Sequence, residues 1–78
     1  MLEGKEAEMY RSVGNKIRVT CFDGTVLEGM CSEFSSAYDN DPEIASITLK
    51  NGIKVNDNEE LYPLTEVFEI EIKRIELI

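Results

Sequence analysis

The stretch from Lys16 to Phe34, KIRVTCFDGTVLEGMCSEF, decides the fold. Ile17, Val19 and Cys21 alternate with Lys16, Arg18 and Thr20, the two-residue period of a strand with one buried face. Asp23-Gly24 then supplies two residues that tolerate the positive φ of a tight primed turn, so the chain reverses there. The returning segment, TVLEGMCSEF, holds Gly29 in its interior, where missing side-chain packing is tolerated if the strand bends or bulges. Pairing Phe22 with Thr25 sets Cys21 opposite Val26 and Cys31 opposite Lys16, so the two thiols face opposite ways. That register argues against a disulfide. Cys21 reads as a small buried hydrophobe, and Cys31, beyond the bend, as the more exposed of the two.

Working outward, residues 2–12 (LEGKEAEMYRS) are poor in β-branched side chains and carry Leu2, Ala7, Met9 and Tyr10, which suits a short, weakly amphipathic helix ended by Gly14. On the other side, residues 35–43 (SSAYDNDPE) are polar and turn-forming, with a proline that cannot donate to a ladder, and read as a loop. A third strand follows at IASITLK. Asn51-Gly52 reads as a second turn, after which Ile53 and Val55 start a short fourth strand before the polar run Asn56 to Glu60. In the tail Phe68, Ile70 and Ile72 share one parity and Ile75 and Leu77 the other, so a tight turn or bulge is expected across Lys73-Arg74. The expected architecture is mainly β, a single domain over 1–78. A helix within 1–13 precedes about five strands in 15–78, curled into a small closed SH3-like barrel that removes sheet edges.

The chain has 78 residues, and a core of that size supplies only a few kcal/mol, which a disulfide, a metal or self-association usually supplements. With two cysteines and no histidine, zinc has no ligand set. Self-association remains. Free thiols and an N-terminus carrying Glu3, Glu6 and Glu8 suit a reducing cytoplasm, and no stretch approaches the roughly 18 apolar residues of a membrane span. Sixteen acidic against eight basic residues give a net charge of -8, which repels nucleic-acid phosphates and anionic membranes at long range.

Catalysis has no base beyond carboxylates and no nucleophile beyond two thiols, and these form no constellation. No enzyme and no cofactor are expected. Asp39-Asn40-Asp41 with Glu43 lacks the spacing of a calcium loop and reads as a solvated acidic segment. No glycine-rich phosphate loop is present, since each glycine stands alone.

Gly14, the strand KIRVT, Asp23-Gly24, Gly29 five residues after Gly24 and Phe34 five further on together resemble the first sequence motif of the Sm-like (LSm) family. The resemblance runs from about residue 8 to residue 78. It implies a homo-oligomeric ring in which the fourth strand of one subunit pairs with the fifth of its neighbour, and an inner rim that in many members binds single-stranded RNA. Tudor, chromo and other SH3-like barrels share the same turn and bent strand, because these answer to geometry.

The RNA-binding residues implied by the resemblance are not matched. Where the family has an Asp after the aromatic and an Asn four residues on, this chain has Ser35 and Asp39, with Asn40 a candidate only if the loop slips by one. Phe34 and Tyr38 are candidates for base stacking, although Phe34 also reads as core and Tyr38 as a loop anchor. The Arg-Gly pair of the second motif falls on Glu71-Ile72, an inverted charge. Lys73 and Arg74 could replace it after a shift of two, or serve as partners of Glu69, Glu71 or Glu76.

The expected function is therefore a non-catalytic ring acting as scaffold or adaptor, with a protein partner favoured over RNA. The alternatives are an acidic decoy of nucleic acid, motivated by the charge, and a monomeric SH3-like interaction domain.

Overall fold

A computed structural model describes residues 4–39, 44–61 and 63–78. Helix α1 (Gly4–Ser12) is followed by β1 (Lys16–Cys21), β2 (Val26–Ser35), a 3-10 turn (Ala37–Asp39), β3 (Ser46–Lys54), β4 (Glu59–Glu60), β5 (Leu64–Phe68), a second 3-10 turn (Glu69–Glu71) and β6 (Ile72–Leu77). The mainly-β architecture with a short N-terminal helix matches the sequence reading. Among the described residues the strands number six rather than about five, and they form one antiparallel sheet in the order β4-β3-β2-β1-β6, with β5 on β3.

The first hairpin departs from the expected register by one residue. Lys16 pairs with Met30 and Thr20 with Val26, and the Cys21 N–H donates to Thr25 O at 2.8 Å. The loop is three residues long, because Gly24 (φ 92) closes a Cys21-to-Gly24 turn in the left-handed region instead of sharing a two-residue primed turn. Asp23 Oδ1 accepts from the Thr25 N–H at 2.9 Å. The shift reverses the expected facing of the thiols: Cys21 and Cys31 both point into the core, six positions apart along the ladder, and both are free. Cys31 is fully buried, not the more exposed one.

Asn51-Gly52 is not a turn. β3 runs through it, and Asn51 (φ 53) bends the strand where it changes partners: Lys50 pairs with Leu64 on β5, whereas Ile53 pairs with Glu60 on β4. The Asn51 N–H donates to Pro63 O and the Leu61 N–H to Gly52 O, which fills the gap between the two ladders. Gly29 lies against this bend at a bulge in the β2–β3 register, and a Cβ on it would stand 3.0 Å from Gly52 Cα. The sequence places a bend glycine correctly here, and the partner it admits is another glycine. Ile53 consequently belongs to β3, and Val55 lies in the following turn.

The turn after β3 is tied to the first hairpin by Asn56, whose Oδ1 accepts from the Val26 N–H at 2.6 Å and whose Nδ2 donates to Gly24 O at 3.2 Å. Near the C-terminus the break between strands falls at Glu69–Glu71 rather than at Lys73-Arg74. The parity change seen in the sequence is still real, because Thr20 pairs with Arg74 and Cys21 with Ile72, leaving Lys73 as the extra residue of a bulge. Ile70, counted with the buried parity, is exposed on the 3-10 turn.

The core gathers Ile17 and Val19 from β1, Leu27 and Cys31 from β2, Ile47 and Leu49 from β3, Val67 from β5 and Ile72 from β6. Met9 of α1, fully buried, plugs one end of it. The helix stops at Ser12, whose Oγ donates to Glu8 O, and Gly14 (φ 86) turns the chain into β1 with its N–H on Cys31 O. Leu2 lies outside the described residues.

The sheet does not close into the expected barrel. Among the described residues β5 pairs only with β3 and β6 only with β1, so each leaves one open edge. The 3-10 turn between them spans the gap: the Glu69 N–H donates to Ala45 O, and the Phe22 N–H to Glu71 O.

Candidate functional site

The candidate RNA residues fall on two sides of that 3-10 turn. Phe34 and Ser35 end β2, opposite Ile47 and Ser46. Phe34 is half-buried and meets the Tyr10 ring edge-on, with centroids 5.7 Å apart, so the helix holds it in the manner of a core aromatic. Tyr38, on the first 3-10 turn, is 91% exposed. Asn40 lies outside the described residues, as does the side chain of Asp39. Lys73 and Arg74 are exposed on β6, and Arg74 Nε lies 3.5 Å from Glu76 Oε1.

The place where the resemblance implies Arg-Gly is built differently. Ile72 is fully buried in the core, where the family's glycine would leave a void, and Glu71 shapes its own turn by accepting from the Phe68 N–H at 3.2 Å. Glu69 and Glu71 put two carboxylates on the turn that leads into Lys73 and Arg74. A nucleic acid passing there would bring phosphates to fixed negative charge.

Elsewhere two ion pairs form among the described residues. Arg18 and Glu28, directly opposite on β1 and β2, meet at 2.7 Å, and that carboxylate raises the arginine's already high pKa. Lys54 lies 3.0 Å from Asp57, which likewise raises the lysine. The Thr25 N–H holds Asp23 below the usual carboxylate range. Among the described residues no group of three or more His, Cys, Asp or Glu is placed to hold a metal, and no helix is long and apolar enough to cross a membrane.

Burial raises both thiols, Cys31 to about 11. An unfolded thiol titrates near 9, so the folded chain favours the protonated form. The stability this contributes is complete below pH 9 and is lost as pH rises toward about 11. At pH 8 Cys31 should resist iodoacetamide in the native chain and react within minutes after denaturant is added, as peptide mass mapping would show; fast native labelling would contradict its burial.

Three features escape the sequence reading. Tyr10, Arg11, Val13 and Phe34 line a groove between α1 and the end of β2. Phe22 stands in solvent beside the hairpin, with Lys5 Nζ 4.9 Å from its ring centre. Leu64 on β5 and Leu77 on β6 are 63% and 67% exposed, one at each open edge. Both leucines fit the strand period, and only the pairing pattern of the described residues shows that they stay largely exposed.

No protein-family model matches the chain. No curated protein matches it significantly either. Its coordinates are similar to the crystal structure of an SmAP (LSm) protein from Methanococcus vannielii, with TM-score 0.67 over 94% of this chain and 93% of that one, at 15% identity. A heptameric archaeal Sm protein, discussed for its implications for the eukaryotic snRNP core, superposes with TM-score 0.67 at 15% identity, covering 92% of this chain and 97% of that one. The fold of this chain is the Sm-like fold, as the spacing of Gly14, Gly24, Gly29 and Phe34 implies.

Proposed function

We propose that this chain is a non-catalytic assembly module whose copies join edge to edge through β5 and β6 into a ring that serves as a scaffold or adaptor. The observation that carries this reading is the open edge on each of β5 and β6, both strands bearing an exposed leucine; of the other described strands only the two-residue β4 pairs on one side alone. A small core gains from such association, and backbone groups left open at both edges find partners. The heptameric state of the archaeal Sm protein of the same fold supports a closed ring over an open filament.

A protein is the favoured ligand. Glu69 and Glu71 at the bridging turn, together with the net charge of -8, work against RNA at an inner rim. Native mass spectrometry at micromolar concentration tests the assembly: a single species at an integral multiple of 8.9 kDa is expected, and a strict monomer would overturn it. Filter binding with U-rich and A-rich RNA at physiological salt should show no tight complex. The same charge favours a second reading, the acidic decoy, which predicts salt-sensitive capture of a basic DNA-processing protein by the monomeric chain.

A further inference from the structure

We propose that the cavity between the first hairpin and the 3-10 turn at Glu69–Glu71 receives a lysine side chain from a basic segment of a protein partner. The proposal rests on the reading above that a protein is the favoured ligand and names the chemistry of its contact. The cavity measures about 280 Å³ and is lined by Cys21, Phe22, Asp23, Thr25, Leu27 and Glu71. The Phe22 N–H donates to Glu71 O at 3.1 Å, so hairpin and turn hold their spacing without a ligand.

The lining suits an ammonium carried on an aliphatic stem. Leu27 and Cys21, both buried, form an apolar floor along which methylenes can lie while the charged head stays in water. Phe22 is largely exposed, and Lys5 Nζ already stands 4.9 Å from its ring centre, so the ring attracts an ammonium. Lys5 does not line the cavity, which it therefore leaves open.

Asp23 from the hairpin and Glu71 from the turn supply the charge. Asp23 Oδ1 accepts from the Thr25 N–H and Glu71 Oε1 from the Phe68 N–H, which fixes both carboxylates in place. Neither forms an ion pair among the described residues. Lys54, whose charge reaches Asp23, is held 3.0 Å from Asp57. Burial first, and then both carboxylates, push the Cys21 thiol up, so the two negative fields converge on the floor. A phosphate or carboxylate would meet that field with the wrong sign, and an apolar side chain would leave both carboxylates without a counter-charge. At long range the net charge of -8 draws a basic segment in.

The test is an NMR titration of the isotopically labelled full chain at low ionic strength. The probe is the peptide Gly-Gly-Lys-Gly-Gly, blocked at both ends, with norleucine in place of lysine as the uncharged control. The amides of Phe22, Asp23, Thr25 and Glu71 should shift with the lysine peptide and stay fixed with the control. Phe22→Leu, Asp23→Asn and Glu71→Gln should each raise the dissociation constant about threefold, with folding checked by circular dichroism. Glu33→Gln, which removes the same charge near the other end of β2, should change it by less than about 1.5-fold. Equal weakening by Glu33→Gln, equal binding of the norleucine peptide, or a Phe22→Leu chain that binds as well as the wild type would overturn the site. Shifts at the same amides on diluting the chain without peptide would assign the cavity to a second copy and overturn the partner. Native mass spectrometry of the same samples reads the assembly independently: an assembled chain with a silent cavity overturns the site alone, and a monomer that binds the peptide overturns the ring alone.

Discussion

Met9→Ala is expected to destabilise the fold by roughly 2–5 kcal/mol, the range for emptying a fully buried large side chain. Met9 has no exposed surface and is the one large side chain that α1 sends into the sheet's core; the helix's other buried residue is Ser12. Alanine there would leave a void that strands held by backbone ladders cannot collapse into, and α1 would lose its anchor. In a chain of this size the midpoint of thermal unfolding should fall by about 10 °C or more. The Tyr10 ring would separate from Phe34, so near-ultraviolet circular dichroism should weaken before the far-ultraviolet signal does. Met9→Leu keeps the volume and should cost under about 1.5 kcal/mol. If Met9→Ala unfolded at the wild-type temperature, the helix would not be part of the cooperative unit.

Gly29→Ala is the second large effect, at roughly 1–3 kcal/mol, and it acts through the backbone. The new Cβ would meet Gly52 Cα at 3.0 Å and approach Gly52 N and Lys50 O at 3.4 Å, none of them a side chain that could swing aside. β2 and β3 would have to part at the bulge that lets them bend together. A larger residue such as valine should prevent folding at 37 °C. Chemical denaturation compared with Met9→Ala separates the two causes: both should lower the midpoint, and hydrogen exchange should rise first near Gly29 and Gly52 in one and along α1 in the other. Gly29→Ala at wild-type stability would mean that β2 and β3 do not approach this closely.

These two sites show what sequence could and could not announce. Gly29 was readable because a lone glycine in an alternating strand signals a bend, but its partner Gly52 was hidden inside an Asn-Gly pair that ordinarily signals a turn. The same positive φ at Asn51 serves either purpose, and only the ladders to β4 and β5 decide that the strand continues. The hairpin at Asp23-Gly24 was legible as a reversal but not as a three-residue loop, since both loop types use glycine in the left-handed region. That single residue turned Cys31 from the thiol expected to be the more exposed of the two into a fully buried one. The candidate site was less legible still. Phe34 is claimed by Tyr10 and Ile72 by the core, both tertiary facts, while the exposure of Leu64 and Leu77 depends on which strands remain unpaired.

The 3-10 turn at Glu69–Glu71 has a mechanical consequence. It joins the two strands that bear the open edges, and its ends are pinned to Ala45 and Phe22 by backbone hydrogen bonds, so incoming and outgoing edges are held as one rigid bracket. In any chain of copies joined through those edges, the angle of this bracket is the rotation from one copy to the next. Three residues would then act as the protractor of the assembly, and adding one residue to the turn would alter how many copies complete a circle while leaving the contact surfaces themselves unchanged.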